Sequence, residues 1–269
     1  MPTGCGAERY RLRATFGDPL LVGGAGRLLP TPRGEVLLER ARAVLDQVRA
    51  LLSADSFDPS RSDRSFVLLV DDYFSALLLP GLARRMQSTP NLQIRVQTRG
   101  SDTFQRLLAG SGDLLFDVGG VDVAGLRRQR LWDERFVLLA RKGHPAFSAG
   151  PIDLETWAAI PQMRVEYGEG RPTAIDELLA KRGLSRSVQI LVPTFLAIPE
   201  IVAASDLIAT YPARLAPRCG HLPVAVHPLP EPPPPMPLFQ VWPERLDRDP
   251  AHQWLREQLR SVASDELTG

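Results

Sequence analysis

Cysteine is scarce in this 269-residue chain: Cys5 and Cys219 are far apart and outside any CxxC pair. A disulfide framework needs more than that, so both read as free thiols of a reducing compartment. No stretch approaches the roughly 18 consecutive apolar residues a membrane-spanning helix requires, and no membrane partner is expected. The opening Met1-Pro-Thr-Gly-Cys-Gly-Ala-Glu lacks the charged-then-apolar pattern of an export signal, so a cytoplasmic location is expected. Excess charge is also missing. Lys and Arg number 32 against 31 Asp and Glu, a net of +1, so any contact with nucleic acid must be local. Cys219, His221 and His227 have no fourth ligand at zinc spacing. His144, in Lys142-Gly-His-Pro145, reads as a turn residue. Gly24-Ala-Gly26 lacks the lysine and closing glycine of a phosphate loop. No Ser-His-Asp set or paired acids stand out, so neither an enzyme nor a cofactor is expected.

What is present suits roughly two domains of ordinary globular composition, 44% hydrophobic. Residues 7–15 form a short basic helix-like stretch, which Gly17 and Pro19 end. Leu20–Val22 and Arg27–Leu29 read as a two-stranded ribbon around Gly23-Gly-Ala-Gly26. Thr31 then suits an N-cap, Pro32 the first helical position and Glu35 the helix start. Leu37, Ala41, Val44, Val48 and Leu51 recur at 4-3-4-3 spacing, flanked by Leu38, Leu45 and Leu52. Such a helix either lies on the next domain or pairs with a second copy. Ser53–Arg64, rich in turn formers, reads as a linker.

Beyond it, apolar strands alternate with helices. Strands are read at 66–70, 92–97, 114–118, 136–140, 188–192, 207–210 and 238–242. Helices are read at 73–87, 103–109, 178–182, 198–204 and 250–262. This pattern argues for a doubly wound α/β fold. Glu231-Pro-Pro-Pro-Pro-Met-Pro is a stiff extended crossing.

Several stretches resemble the LysR-type transcription regulators, especially the nodulation and aromatic-catabolism branch. In order they are Arg11-Leu-Arg-Ala-Thr-Phe-Gly-Asp-Pro-Leu-Leu-Val, Pro30-Thr-Pro-Arg-Gly and Leu79-Pro-Gly-Leu. Further on come Phe136-Val-Leu-Leu-Ala-Arg-Lys-Gly-His-Pro, Ser205-Asp-Leu-Ile-Ala-Thr-Tyr-Pro-Ala-Arg-Leu-Ala and Asp247-Arg-Asp-Pro-Ala-His-Gln-Trp-Leu-Arg. The resemblance implies a partial winged helix-turn-helix over residues 1–30 and a dimerisation linker helix over 31–54. Over 65–269 it implies an effector-binding domain of two α/β subdomains, like periplasmic solute-binding proteins. It also implies DNA, a small organic effector and a homodimer or tetramer as partners. Two departures are visible. The chain starts part-way into the family's DNA-binding half, and glycines stand where the wing usually carries arginines. Arg9, Arg11, Arg13, Arg27 and Arg33 are the residues left to contact DNA. With eight arginines and five acids in residues 1–50, impaired DNA binding is expected.

In this fold class ligands sit where strand ends and helix N-termini converge. Asp71-Asp-Tyr-Phe-Ser75 follows the first sensor strand, so Tyr73 and Ser75 are expected to hydrogen-bond an effector; the acids either join them or only cap the helix. Thr98-Arg-Gly-Ser101 and Gly119-Gly120 follow the next strands, and their N–H groups either cradle a carboxylate or belong to plain turns. By the resemblance Asp117 replaces a small residue, which disfavours an anionic effector. Tyr167-Gly-Glu-Gly-Arg171 and Thr194-Phe195 are the expected contacts across the cleft, unless Phe195 is core. The leading function is thus an effector-responsive regulator. A ligand-binding, dimerising module that tunes a full-length relative without reading DNA is the alternative.

Overall fold

The computed structural model of the chain describes residues 5–24, 27–52, 57–120, 122–166 and 172–268. It divides into two compact units, Met1–Ser56 and Phe57–Gly269.

In the first unit, helix α1 (Cys5–Phe16) leads into an antiparallel ribbon of β1 (Leu21–Gly24) and β2 (Arg27–Pro30), then helix α2 (Pro32–Leu52). Gly17, at φ +60°, closes α1, its N–H returning 2.9 Å to the Arg13 carbonyl. The Thr31 hydroxyl caps α2 by accepting from the Gly34 N–H at 3.0 Å, and it donates to Asp18 at 2.7 Å. Asp18 also accepts from the Leu20 N–H. One carboxylate therefore ties the ribbon's entry to the start of α2, and the Thr31 bond holds that carboxyl below its usual range. Position 34 must be glycine, because a Cβ there would lie 2.3 Å from the Leu20 carbonyl oxygen.

The second unit runs β3 (Ser65–Val70), α3 (Asp72–Arg85), β4 (Gln93–Thr98), α4 (Thr103–Ala109), β5 (Leu114–Val118), β6 (Leu126–Glu134) and β7 (Phe136–Arg141). It continues α5 (Leu154–Ala159), β8 (Gln162–Val165), α6 (Ala174–Lys181), β9 (Val188–Val192), α7 (Ile198–Ala203), β10 (Ile208–Pro212), β11 (Val224–His227), β12 (Met236–Pro243) and α8 (Pro250–Thr268). The strands form two five-stranded sheets, in orders β4-β3-β5-β12-β6 and β11-β7-β10-β8-β9. The pairings β3–β4, β3–β5, β8–β10 and β8–β9 are parallel, as a doubly wound pattern demands. The rest are antiparallel, so both sheets are mixed. The reason is the chain's path. It leaves the first sheet between β6 and β7, builds the second, and returns as β12, which enters the first sheet antiparallel to β5 and β6.

Four elements, β6, α5, β8 and β11, have no counterpart in the sequence reading. Strand β6 is largely charged and exposed along Arg127–Arg130, and pairing with β12 rather than its own apolar pattern makes it a strand. The first sheet is covered by α3 and α8, which meet at Gly81; a Cβ there would fall 2.5 Å from Val262. Phe74 stacks on Phe116 at 4.9 Å, and Leu77, Leu78, Leu255 and Leu259 complete a core with almost no solvent exposure. Burial of this kind stabilises by roughly 1.5–3 kcal/mol per large apolar side chain.

Candidate functional site

Within the second unit, strand ends from both sheets enclose a cleft of about 1050 Å³. Val70, Thr98, Val118 and Glu134 close β3, β4, β5 and β6 on one side. Phe136, Val165 and Thr210 of β7, β8 and β10 face it from the other sheet. A continuous apolar strand that ends in a polar residue builds this geometry. The buried run delivers the polar group to the rim, where the chain leaves the sheet.

Asp71 follows β3 and caps α3, accepting from the Phe74 N–H at 3.1 Å, while the Ser75 hydroxyl donates 2.8 Å to the Asp71 carbonyl. Both residues line the cleft. Burial pushes the Asp71 carboxyl up to about 6, against the pull of the Phe74 N–H and Arg99. Capping and lining are therefore not alternatives here; one residue does both.

Tyr73 lines the cleft too, but its hydroxyl is already committed. It donates to Glu134 and accepts from the Trp132 indole N–H at 3.0 Å. Glu134, 2% exposed, accepts further bonds from the backbone N–H groups of Arg135 at 2.9 Å and Arg214 at 3.4 Å. Burial raises the Glu134 carboxyl, and burial with that neighbouring carboxylate raises the Tyr73 phenol, so the proton stays on the tyrosine. The expectation that Tyr73 offers its hydroxyl to a ligand is corrected. It fixes the passage from β6 to β7 instead.

The turn N–H groups are likewise engaged. Gly119 is not among the lining residues; at φ +78° it donates 2.9 Å to the Pro237 carbonyl. The Gly100 N–H donates 2.8 Å to the Thr103 hydroxyl. The Gly100 bond is turn chemistry, whereas the Gly119 bond extends the pairing of β5 with β12. Thr98 lines the cleft, as do Thr194 and Phe195 from the far side. The Phe195 ring lies 6.1 Å from those of both Tyr73 and Tyr211, so it belongs to core and rim together. Tyr167 through Arg171 lie outside the described residues.

Among the described residues three arginines line the cleft, and each is held by the protein. Arg99 donates to Asp117 at 2.7 Å and to the Phe116 carbonyl at 2.9 Å. Arg164 pairs with Glu166 at 3.1 Å. Arg186 donates to Asp176 at 2.7 Å and to Thr173 at 2.9 Å. Burial works against the Asp176 carboxylate, but the Arg186 and Thr173 bonds outweigh it and bring its pKa down to about 2. Two atoms of lining residues stand out against this background. Asp117 Oδ2 and the Thr210 hydroxyl are buried without a hydrogen-bond partner among the described residues, one on each sheet.

Sequence reasoning did not single out Glu134, Arg164 or Thr210 as site residues. Thr210 was within reach, since the apolar strand read at 207–210 ends on it.

In the first unit, Arg11 and Arg33 are exposed. Arg13 is exposed yet turned to its own ribbon, donating to the carbonyls of Pro19 at 3.1 Å and Leu21 at 3.3 Å. The side chains of Arg9 and Arg27 lie outside the described residues.

Residues 61–264 match the family model of the LysR substrate binding domain. The chain belongs to the LysR family. Nodulation protein D 1 of Sinorhizobium fredii is 30% identical over 260 residues, 94% of this chain and 80% of that relative. The transcriptional activator NagR of Ralstonia is 31% identical over 263 residues, 95% and 86% of the two chains. A probable transcriptional regulator of Pseudomonas aeruginosa, solved as a crystal structure, superposes with a TM-score of 0.70 at 28% identity. That match covers 95% of this chain and 86% of the other. The protein is thus a LysR-type transcriptional regulator with an effector-binding domain, and not an enzyme. No described helix is long and apolar enough to cross a membrane.

Proposed function

We propose that this LysR-type regulator binds a small, partly aromatic organic effector in the cleft between its two sheets. The observation that carries the reading is the cleft itself: about 1050 Å³, walled by Val70, Val118, Phe136, Phe195 and Leu238, with hydroxyls of Ser75, Thr194 and Thr210 set among them. Apolar walls with a few placed polar groups are what small-molecule sites need, and this volume is at the upper end of their usual range. Since the lining comes from both sheets, a ligand there bears on the two subdomains at once. On this reading α2 pairs with its copy in a second chain, giving a homodimer, and Arg11 and Arg33 meet DNA phosphates. Such contacts orient a protein on DNA without reading sequence.

The test is a thermal-shift screen of aromatic compounds against the full chain. A true cleft ligand at about 100 times its Kd stabilises by about 2.7 kcal/mol. Val118→Trp, which fills the cleft wall, should abolish the shift while leaving the unliganded melt near that of the wild type. Hits unaffected by Val118→Trp would place the binding elsewhere and end this reading.

A further inference from the structure

The charges and unmet hydrogen-bond groups of the cleft specify more than an aromatic ligand, and this inference rests on the cleft being the effector site. Three observations combine. First, the Asp117 carboxylate is 4% exposed and uses only Oδ1, toward Arg99; Oδ2 is buried with no partner among the described residues. A carboxylate oxygen can only accept, and leaving one buried and unmet is unfavourable. Second, Thr210, on the opposite sheet, is 9% exposed, and its buried hydroxyl is equally unmet among the described residues. Third, the described lining arginines that would attract an anion are already bound to Asp117, Glu166 and Asp176. What the cleft offers a ligand is therefore an acidic acceptor on one wall and a hydroxyl on the other, between apolar faces.

We propose that the effector is an uncharged or cationic ring compound carrying hydroxyl or amino hydrogens, which donates to Asp117 Oδ2 and bridges to Thr210, and that aromatic carboxylates are rejected. A donor meeting Oδ2 forms a charge-assisted bond in a water-poor site, the stronger kind of hydrogen bond. A ligand carboxylate in the same place sets one acceptor against another and leaves Oδ2 unmet. Because Asp117 belongs to the first sheet and Thr210 to the second, one ligand that satisfies both also clamps the two subdomains.

The experiment titrates the full chain, calorimetrically, with three ring probes of one shape: naphthalenediol, naphthalenedicarboxylate and dimethylnaphthalene. The wild type should bind the diol at least about tenfold more tightly than the dicarboxylate, since a site built for a hydrogen bond discriminates strongly. Asp117→Asn keeps an oxygen for Arg99 but turns the unmet acceptor into a donor. It should weaken the diol about tenfold and strengthen the dicarboxylate, a reversal that mere loss of packing does not produce. Thr210→Val, near-isosteric, should weaken the diol several-fold and leave dimethylnaphthalene unchanged. Equal or tighter binding of the dicarboxylate by the wild type overturns the proposal, as does a uniform loss of all three probes in Asp117→Asn or no diol binding at all. Diol binding that survives Val118→Trp sinks the cleft reading itself, so the two failures are told apart.

Discussion

Helices α2 and α8, 21 and 19 residues long, carry apolar side chains at the same three-and-four spacing, and they meet opposite fates. In α8, Ala251, Leu255, Leu259, Val262 and Ala263 are all 5% exposed or less, packed with α3 over the first sheet. In α2, Val36, Leu38, Val44, Leu45 and Val48 are 42–57% exposed. Amphipathic periodicity thus states that a helix needs an apolar partner and leaves open which chain supplies it. For α8 the partner is α3, fitted closely enough that position 81 has room only for glycine. For α2, whose seam residues Val44 and Val48 are exposed, a second copy supplies the partner on the function proposed above.

The largest effect expected from this contrast comes from placing the same charge in both seams. Leu255→Asp buries an unpaired carboxylate in the core and should destabilise the second unit by about 4 kcal/mol or more, enough to abolish its cooperative urea transition. Val44→Asp should leave that transition unchanged while lowering the molar mass seen in light scattering from dimer to monomer. A wild type that is monomeric at micromolar concentration removes the basis for the comparison.

A smaller effect separates the helices by pH. On α8, His252 is fully buried. Its Nε2–H donates 3.0 Å to the Asp113 carbonyl, and Nδ1 accepts from Arg256 at 2.6 Å. Burial holds its pKa down to about 4, against the pull of the Asp113 carbonyl, and Arg256 adds to the depression while Asp249 opposes it. A depressed folded pKa means that the contribution is present above the unfolded value of about 6.5 and is lost as pH falls toward 4. The loss is about 3 kcal/mol at most. Asp71, raised to about 6, runs the other way, losing its contribution as pH rises through that value. The clean measurement is therefore the difference between wild type and His252→Gln in urea melts at pH 7 and pH 4. The variant should lose less stability over that window. Equal losses would show that His252 is not the titrating group.

The smallest effect lies in the first unit and touches no core. Arg33→Ala or Arg11→Ala should each make the log–log salt dependence of DNA binding shallower by about one, without moving the melt of the second unit. An unchanged slope in both variants would remove these arginines from the DNA-facing surface.

How much of this was legible beforehand follows from where each signal resides. Helix α4 and strands β5 and β9 appear at the residues read from sequence, because their apolar runs are bounded by turn formers. Strand β6 was invisible, since Arg127-Arg-Gln-Arg130 has no apolar alternation and becomes a strand only by pairing with β12. Asp71 and Ser75 line the cleft, as their place after β3 suggested. The expected use of the Tyr73 hydroxyl failed because its partners, Trp132 and Glu134, are about 60 residues away in sequence. Gly119 failed for the same reason, its N–H being taken by Pro237.

By itself the sequence determined the local grammar of this regulator. Thr31 and Asp71 start helices, Gly17 ends one, and apolar runs at two periods mark strands and helices. These depend on interactions within a few residues, which any reading of the chain can reach. Only the tertiary structure decided which polar groups of the cleft are already satisfied. Among the described residues Tyr73, Arg99, Arg164 and Arg186 are engaged, whereas Asp117 Oδ2 and the Thr210 hydroxyl are buried without a partner. A hydrogen bond takes up a donor or acceptor wherever in the chain its partner lies, so what a site has left to offer a ligand is fixed only once distant segments have met.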